Sequence, residues 1–248
     1  MIENCEIDFL EVPQVDLLAI AAHPDDVEQT CGGTLIRMAE IGYRTGVLDL
    51  TRGEMGSRGT PEIRLKEAQT AAAKMLVKWR GNLAMPDARL ENTLSARMTL
   101  AGVVRRLKPR CVILPYWDAR HPDHYRASEI AFEASFLAGL RKLDEYSDPH
   151  RPFKVLYSSL YANVTPSFVV DIGAQFERRM EALFCYQSQY EESPDAAGLF
   201  PTQKEIRERL ESIARFYGHL IGVKYGEPFA VKETLRVDDV VALGGRSF

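Results

Sequence analysis

Short apolar runs, each leading into a helical pattern, constrain this chain more than any other feature. "VDLLAIAA" (residues 15–22) is followed by a helical stretch over Val27 to Ile41, which Gly42 ends. "RTGVLDL" (44–50) precedes the Gly-rich loop "TRGEMGSRGT", and Pro61 then opens a helix through about Met75. A short strand is predicted near Arg80 to Ala84, a helix over Leu94 to Leu107, and another strand at "CVILP" (111–115). The loop "YWDARHPDH" and a helix from about Tyr125 to Leu140 come next, then strands at "KVLYSSLY" and "SFVVDI". Helices near Ala174 to Tyr186 and Lys204 to Tyr217 precede a tail. Strand, crossover helix, strand implies an α/β fold: a Rossmann-like, mostly parallel sheet with helices on both faces. Runs without polar alternation fit strands buried on both sides.

At 248 residues the chain is long enough for a well-buried core, and it is read as one domain, residues 1–248, with 1–14 as an N-terminal extension. A formal net charge of −4 argues against a nucleic-acid partner. No apolar run reaches membrane-spanning length. The acidic start "MIENCEIDFLEVP" lacks a signal-peptide pattern. Cys5, Cys31, Cys111 and Cys185 are widely spaced, which suits free thiols in a reducing cytoplasm. "SPDAAGLFPT" (193–202) is the best candidate for a flexible surface loop.

Two clusters carry chemistry. "HPDD" (23–26) and "HPDH" (121–124) hold three of the five histidines, and each follows a buried-strand run. In the common parallel order 3-2-1-4-5 the first and fourth strands are neighbours at the switch point, where ligands bind beyond the carboxyl ends. One crevice would then collect both clusters. Two imidazoles and one carboxylate suit Zn²⁺ and leave a position for water. In a His-x-x-Asp unit the first and fourth residues can reach one ion, which frees Asp25 to face the water. His124 can ligate while His121 faces the substrate, and Asp123 can orient one of these rings. Singly, each residue has a plainer role. Asp25 or Asp26 would cap the following helix, His121 would be a solvated loop residue, and the glycines of "CGGT" would permit close helix–sheet contact. His150 and His219 are assigned no chemistry. Trp117 and the tyrosines near 186–190 could pack against a sugar, but core or interface packing is the default expectation. Two HPD units at adjacent strand ends together favour a metal site.

"AAHPDDVE" and "RHPDH" resemble the paired signatures of the LmbE-like, or PIG-L-type, zinc deacetylases, which remove acetyl groups from N-acetylglucosamine units. "LTRGEMGSRGTPEIRLKEA", "NLAMPD", "EALFCYQSQY" and "IGVKYGEPF" extend the similarity from Val15 onward. They look like the N-acetylglucosaminyl-malate deacetylase branch of bacillithiol biosynthesis. The resemblance implies His23, Asp26 and His124 as metal ligands and Asp25 as general base. It implies His121 as oxyanion stabiliser and proton donor, with Asp123 as its orienting partner. It also implies Arg64 and Arg120 at the malate end, where guanidinium groups bind carboxylates in paired hydrogen bonds. Arg58 is a third arginine of the same kind. Mycothiol deacetylases carry a tyrosine two residues before the first histidine of the second motif, where this chain has Ala119, so that branch's substrate does not transfer. The resemblance further implies Zn²⁺, or another divalent metal such as Fe²⁺, a small N-acetylglucosaminyl substrate, and a homo-oligomer of which hexamers are common examples. Three alternatives stay open. They are an amidase of another N-acetylglucosaminyl compound or bacillithiol S-conjugate, a nucleotide-binding protein, and a non-catalytic metal-binding protein.

Overall fold

The computed structural model describes residues 12–143, 147–160, 164–191, 200–242 and 244. A seven-stranded sheet runs through it in the order β3-β2-β1-β4-β5-β7-β6. Its strands are β1 (Leu17–Ala21), β2 (Thr45–Thr51), β3 (Trp79–Met85), β4 (Cys111–Pro115), β5 (Lys154–Ser158), β6 (Phe168–Asp171) and β7 (Gly226–Ala230). The first five in spatial order pair in parallel, and β7 runs antiparallel to both β5 and β6. The expected order 3-2-1-4-5 is therefore present, with the switch between β1 and β4.

Period-two alternation sends each apolar run into two cores. Leu18 and Ile20, Leu48 and Leu50, and Val112 and Leu114 join one cluster with α4 (Leu94–Leu107) and α5 (Pro122–Ala138). Leu17, Ala19, Ala21, Val47 and Ile113 face the other way, onto Val27, Cys31 and Leu35 of the first helical segment. A third cluster joins α2 (Gly32–Glu40) and α3 (Pro61–Lys74) to α6 (Phe176–Leu183) and α8 (Gln203–Leu220). No described helix is long and apolar enough to cross a membrane.

Three expectations are corrected. The single helix over Val27 to Ile41 is two, α1 (Asp26–Thr30) and α2, which part at Cys31. A buried ion pair satisfies the freed backbone groups. Arg179 donates to the carbonyls of Glu28 and Gln29, while the Glu227 carboxylate accepts the N–H groups of Gly33 and Thr34 at 2.9 and 2.7 Å. Arg179 Nη1 and Glu227 Oε1 lie 3.3 Å apart. The glycines are needed for closeness, as expected: a Cβ on Gly33 would lie 2.8 Å from Glu227 Oε1. Second, α5 begins at Pro122 rather than near Tyr125, because His121 Nδ1 accepts the Asp123 N–H at 3.2 Å and caps the helix. Third, the stretch read as a tail contains β7. Its Glu227 and Pro228 hide the strand pattern, since proline and charge both count against an interior strand. Of the proposed flexible loop, residues 193–199 lie outside the described residues, as do residues 1–11 of the N-terminal extension.

Candidate active site

His23, Pro24 and Asp25 lie between the end of β1 and the start of α1. Asp25 takes a left-handed backbone, φ 100°, and its side chain makes no capping bond. That turn separates the two neighbouring carboxylates. Asp26 accepts the His23 N–H at 3.0 Å, and its oxygens lie 3.4 Å from His23 Nδ1 and 3.2 Å from His124 Nε2. Asp25 points elsewhere: Tyr190 donates its hydroxyl to Asp25 Oδ2 at 2.5 Å, and Arg64 Nη2 stands 3.3 Å from Oδ1. Burial pushes the Asp25 carboxyl up to about 6; Arg64 opposes that rise, Asp26 adds to it, and the Tyr190 bond opposes it.

Sequence spacing alone gave no role to Asp87, which follows β3 in "NLAMPD". Its carboxylate lies 2.9 Å from His23 Nε2 and accepts the N–H of Met55 and of Ala88. A single aspartate after a strand reads as a turn residue, and only the fold brings it to His23. Tyr190 is the other residue missed. It sits in the short helix α7 (Gln187–Tyr190), within a stretch expected to supply core or interface packing.

The Asp123 carboxylate accepts the Ala88 and Leu90 N–H groups at 2.7 and 3.3 Å and lies 3.4 Å from His23 Nε2. Asp123 meets His121 through its backbone N–H, and the ring its carboxylate faces is His23, which was not among the rings it was expected to orient. Burial opposes protonation of His23, but Asp123, Asp26 and Asp87 outweigh it and hold its pKa well above the usual imidazole range. His121 is exposed, at the edge of the same cluster. Partial burial and the neighbouring His23 and His124 push its pKa down, and Asp123 and Asp26 offset this only in part.

A divalent metal fits this donor set. His23, His121 and His124 each offer a nitrogen, and these lie within 4.8 Å of one another. Asp26 bridges His23 and His124, and carboxylates surround His23 in excess of nearby cations, an arrangement that favours a positive charge. Imidazoles with a carboxylate match Zn²⁺ chemistry and are shared by other first-row ions.

A cavity of about 250 Å³ adjoins the cluster, lined by His23, Asp25, Met55, Arg64, Asp87 and His121 among others. The Arg64 guanidinium is buried and donates to the Pro24 carbonyl at 2.5 Å as well as facing Asp25. Gly53 makes room for it, with φ +69° and an added Cβ only 2.0 Å from Arg64 Nη1. Arg120 is exposed beside His121. Arg58 donates to the Gln189 carbonyl and lies 4.3 Å from the Phe200 ring centroid. Trp117 is 38% exposed, stacks on Tyr116 and meets Tyr157 edge-on. His150 bonds the Pro109 carbonyl, away from the cluster.

Comparison with known proteins agrees with this picture. Residues 18–135 match the PIG-L family, described as GlcNAc-PI de-N-acetylase. The chain is 30% identical to the diacetylchitobiose deacetylase of Thermococcus kodakarensis, over 88% of this chain and 83% of that protein. Among solved structures, a conserved protein from Thermus thermophilus is 41% identical with a TM-score of 0.81, covering 91% of this chain and 98% of that one. The N,N'-diacetylchitobiose deacetylase of Pyrococcus horikoshii, solved with an inhibitor, is 27% identical with a TM-score of 0.76, covering 92% and 86%. Fold, clustered side chains and similarity together make this chain a member of the PIG-L family of deacetylases.

Proposed function

We propose that this deacetylase removes the acetyl group from an N-acetylglucosaminyl compound, and that the compound is N-acetylglucosaminyl malate, the bacillithiol precursor. One observation carries the chemistry. Asp25 lines the cavity with His23 and His121, while its neighbour Asp26 makes the contacts to His23 and His124. One acid is thereby committed to the cation cluster and the other is left to act on a reacting molecule.

His23, Asp26 and His124 would hold a divalent ion such as Zn²⁺ or Fe²⁺, which would supply Lewis-acid activation when bound. Asp25 accepts a proton from the attacking water as its oxygen adds to the acetyl carbonyl. His121, at the cavity edge, hydrogen-bonds the developing oxyanion, and as the carbon–nitrogen bond breaks the departing nitrogen takes a proton from protonated Asp25 or from His121, so that acetate and the amine are released. Asp123 anchors the base of α5 through Ala88 and Leu90 and so fixes where His121 stands. Arg120, which is exposed and precedes His121 in the chain, is the arginine assigned to the carboxylates of malate.

A second reading keeps the chemistry and changes the leaving sugar. The engagement of Arg64 with Asp25 leaves the malate end with fewer guanidinium donors than expected, which favours another N-acetylglucosaminyl compound. The deciding experiment measures amine release from N-acetylglucosaminyl malate, N-acetylglucosamine and N,N'-diacetylchitobiose by the metal-loaded protein. Preference for the malate compound supports the first reading. Preference for either other sugar supports the second, and no release from any of the three rejects the deacetylation of these sugars.

A further inference from the structure

Tyr190 reaches Asp25 from a part of the chain far from either HPD motif, and the route by which it is held is well defined. Helix α7 is only four residues long, too short to hold a position by its own hydrogen bonds. Three contacts fix it. The Glu67 carboxylate on α3 accepts both the Ser188 N–H and the Ser188 hydroxyl at 2.7 Å. Gln189 donates its side-chain amide to the Arg58 carbonyl at 2.7 Å, and Arg58 returns a bond to the Gln189 carbonyl at 2.9 Å. Gly59 lies so close that a Cβ there would stand 2.6 Å from Ser188 Oγ. The Tyr190 ring is buried and meets Phe184 edge-on. Its hydroxyl can therefore move little relative to α3 and the Gly-rich loop.

The carboxylate it meets needs such a restraint. Asp25 sits on a left-handed backbone and lacks the N-cap bonds that ordinarily hold an aspartate at a helix start. Rotation about its side-chain bonds is checked by Tyr190 on Oδ2 and Arg64 on Oδ1. The phenol uses one lone pair of Oδ2 and leaves others free to accept a proton.

We infer that Tyr190 is a positioning residue: docked by Ser188 and Glu67, its hydroxyl sets the direction of the Asp25 carboxylate. The inference rests on the role proposed for Asp25 as base. It goes beyond that role by giving the "YQSQY" segment a part in the reaction, though it holds no metal donor and does not line the cavity.

Kinetics and a labelled tyrosine test it together. Tyr190→Phe should lower kcat by about tenfold to a hundredfold, since an ångström of misplacement costs up to about a hundredfold, and should leave KM within about twofold. Ser188→Ala, which loosens α7 without touching Asp25, should show the same pattern at smaller size. In an Asp25→Asn background, Tyr190→Phe should cost less than about twofold of the residual rate, because residues acting as a unit are non-additive. An equal fall in both backgrounds, or an unchanged kcat in Tyr190→Phe, overturns the inference. If the wild type turns over none of the sugars, the substrate reading has failed and the contact is judged by NMR alone. With tyrosine labelled at the hydroxyl-bearing carbon, the Tyr190 signal, assigned through Tyr190→Phe, should move in Asp25→Asn. A signal unmoved by that change also overturns the inference.

Discussion

Asp25 holds φ at 100°, a region that side-chain-bearing residues avoid and that asparagine and aspartate tolerate best. The choice of substitution at this residue therefore matters. Asp25→Asn keeps a residue suited to the turn, so the protein should fold and bind metal normally while kcat falls by about 10²–10⁴, the usual worth of an acid–base group. Circular dichroism, metal analysis and the amine-release assay check the three parts. His124→Ala should lose metal in the same analysis, and retained stoichiometric metal would remove His124 from the ligand set. Arg120→Ala should raise KM for a malate-bearing substrate by at least about tenfold, as expected for a lost charge-assisted pair. It should leave simple N-acetylglucosamine nearly unaffected, and equal effects on both would count against a malate clamp. Cys31 offers a contrast. Buried beneath the site, its thiol is pushed up to about 12 by burial, with Glu227 adding to the effect. It should stay unlabelled by maleimide at pH 8 in the native protein and react only after unfolding.

At the scale of elements, the centre of the sheet was readable because β1 and β4 are apolar on both faces. "VDLLAIAA" and "CVILP" carry no competing period, and their adjacency follows from the parallel order. What could not be read depends on distant partners or on an unusual local cap. The break at Cys31 is held open by Arg179 and Glu227, which lie more than a hundred residues later. The start of α5 at Pro122 relies on a histidine as cap, an unusual choice that local rules do not favour. Both HPD motifs stood out because each packs several ionisable groups into four residues. Asp87 and Tyr190 each contribute one group from an ordinary-looking segment, so only tertiary structure reveals them. Between α1 and α2, Gly33→Ala should cost about 1–3 kcal/mol, the usual range for overpacking, because the added carbon meets Glu227 Oε1 at 2.8 Å. Urea denaturation measures it, and a change below a few tenths of a kcal/mol would mean that Glu227 has room to move.

Across the whole molecule, the Arg179–Glu227 pair joins α6, β7 and the α1–α2 junction in one interior contact. Breaking a buried pair from one side leaves a charge without a partner and costs about 3–5 kcal/mol. Glu227→Ala should therefore lower stability by that amount, a sizeable part of a typical domain's total. A shift no larger than that of a surface glutamate would show that Arg179 finds another partner.

That contact also has a bearing on how the chain is made. β7 is the last described strand to leave the ribosome, yet its place is between β5 and β6 rather than at an edge. During synthesis the earlier strands emerge with a gap beside β5, and Arg179 emerges before the carboxylate that will neutralise it. Until Gly226–Ala230 arrives, the growing chain presents an open strand edge and an unmatched charge, the kind of intermediate that invites chaperones and aggregation.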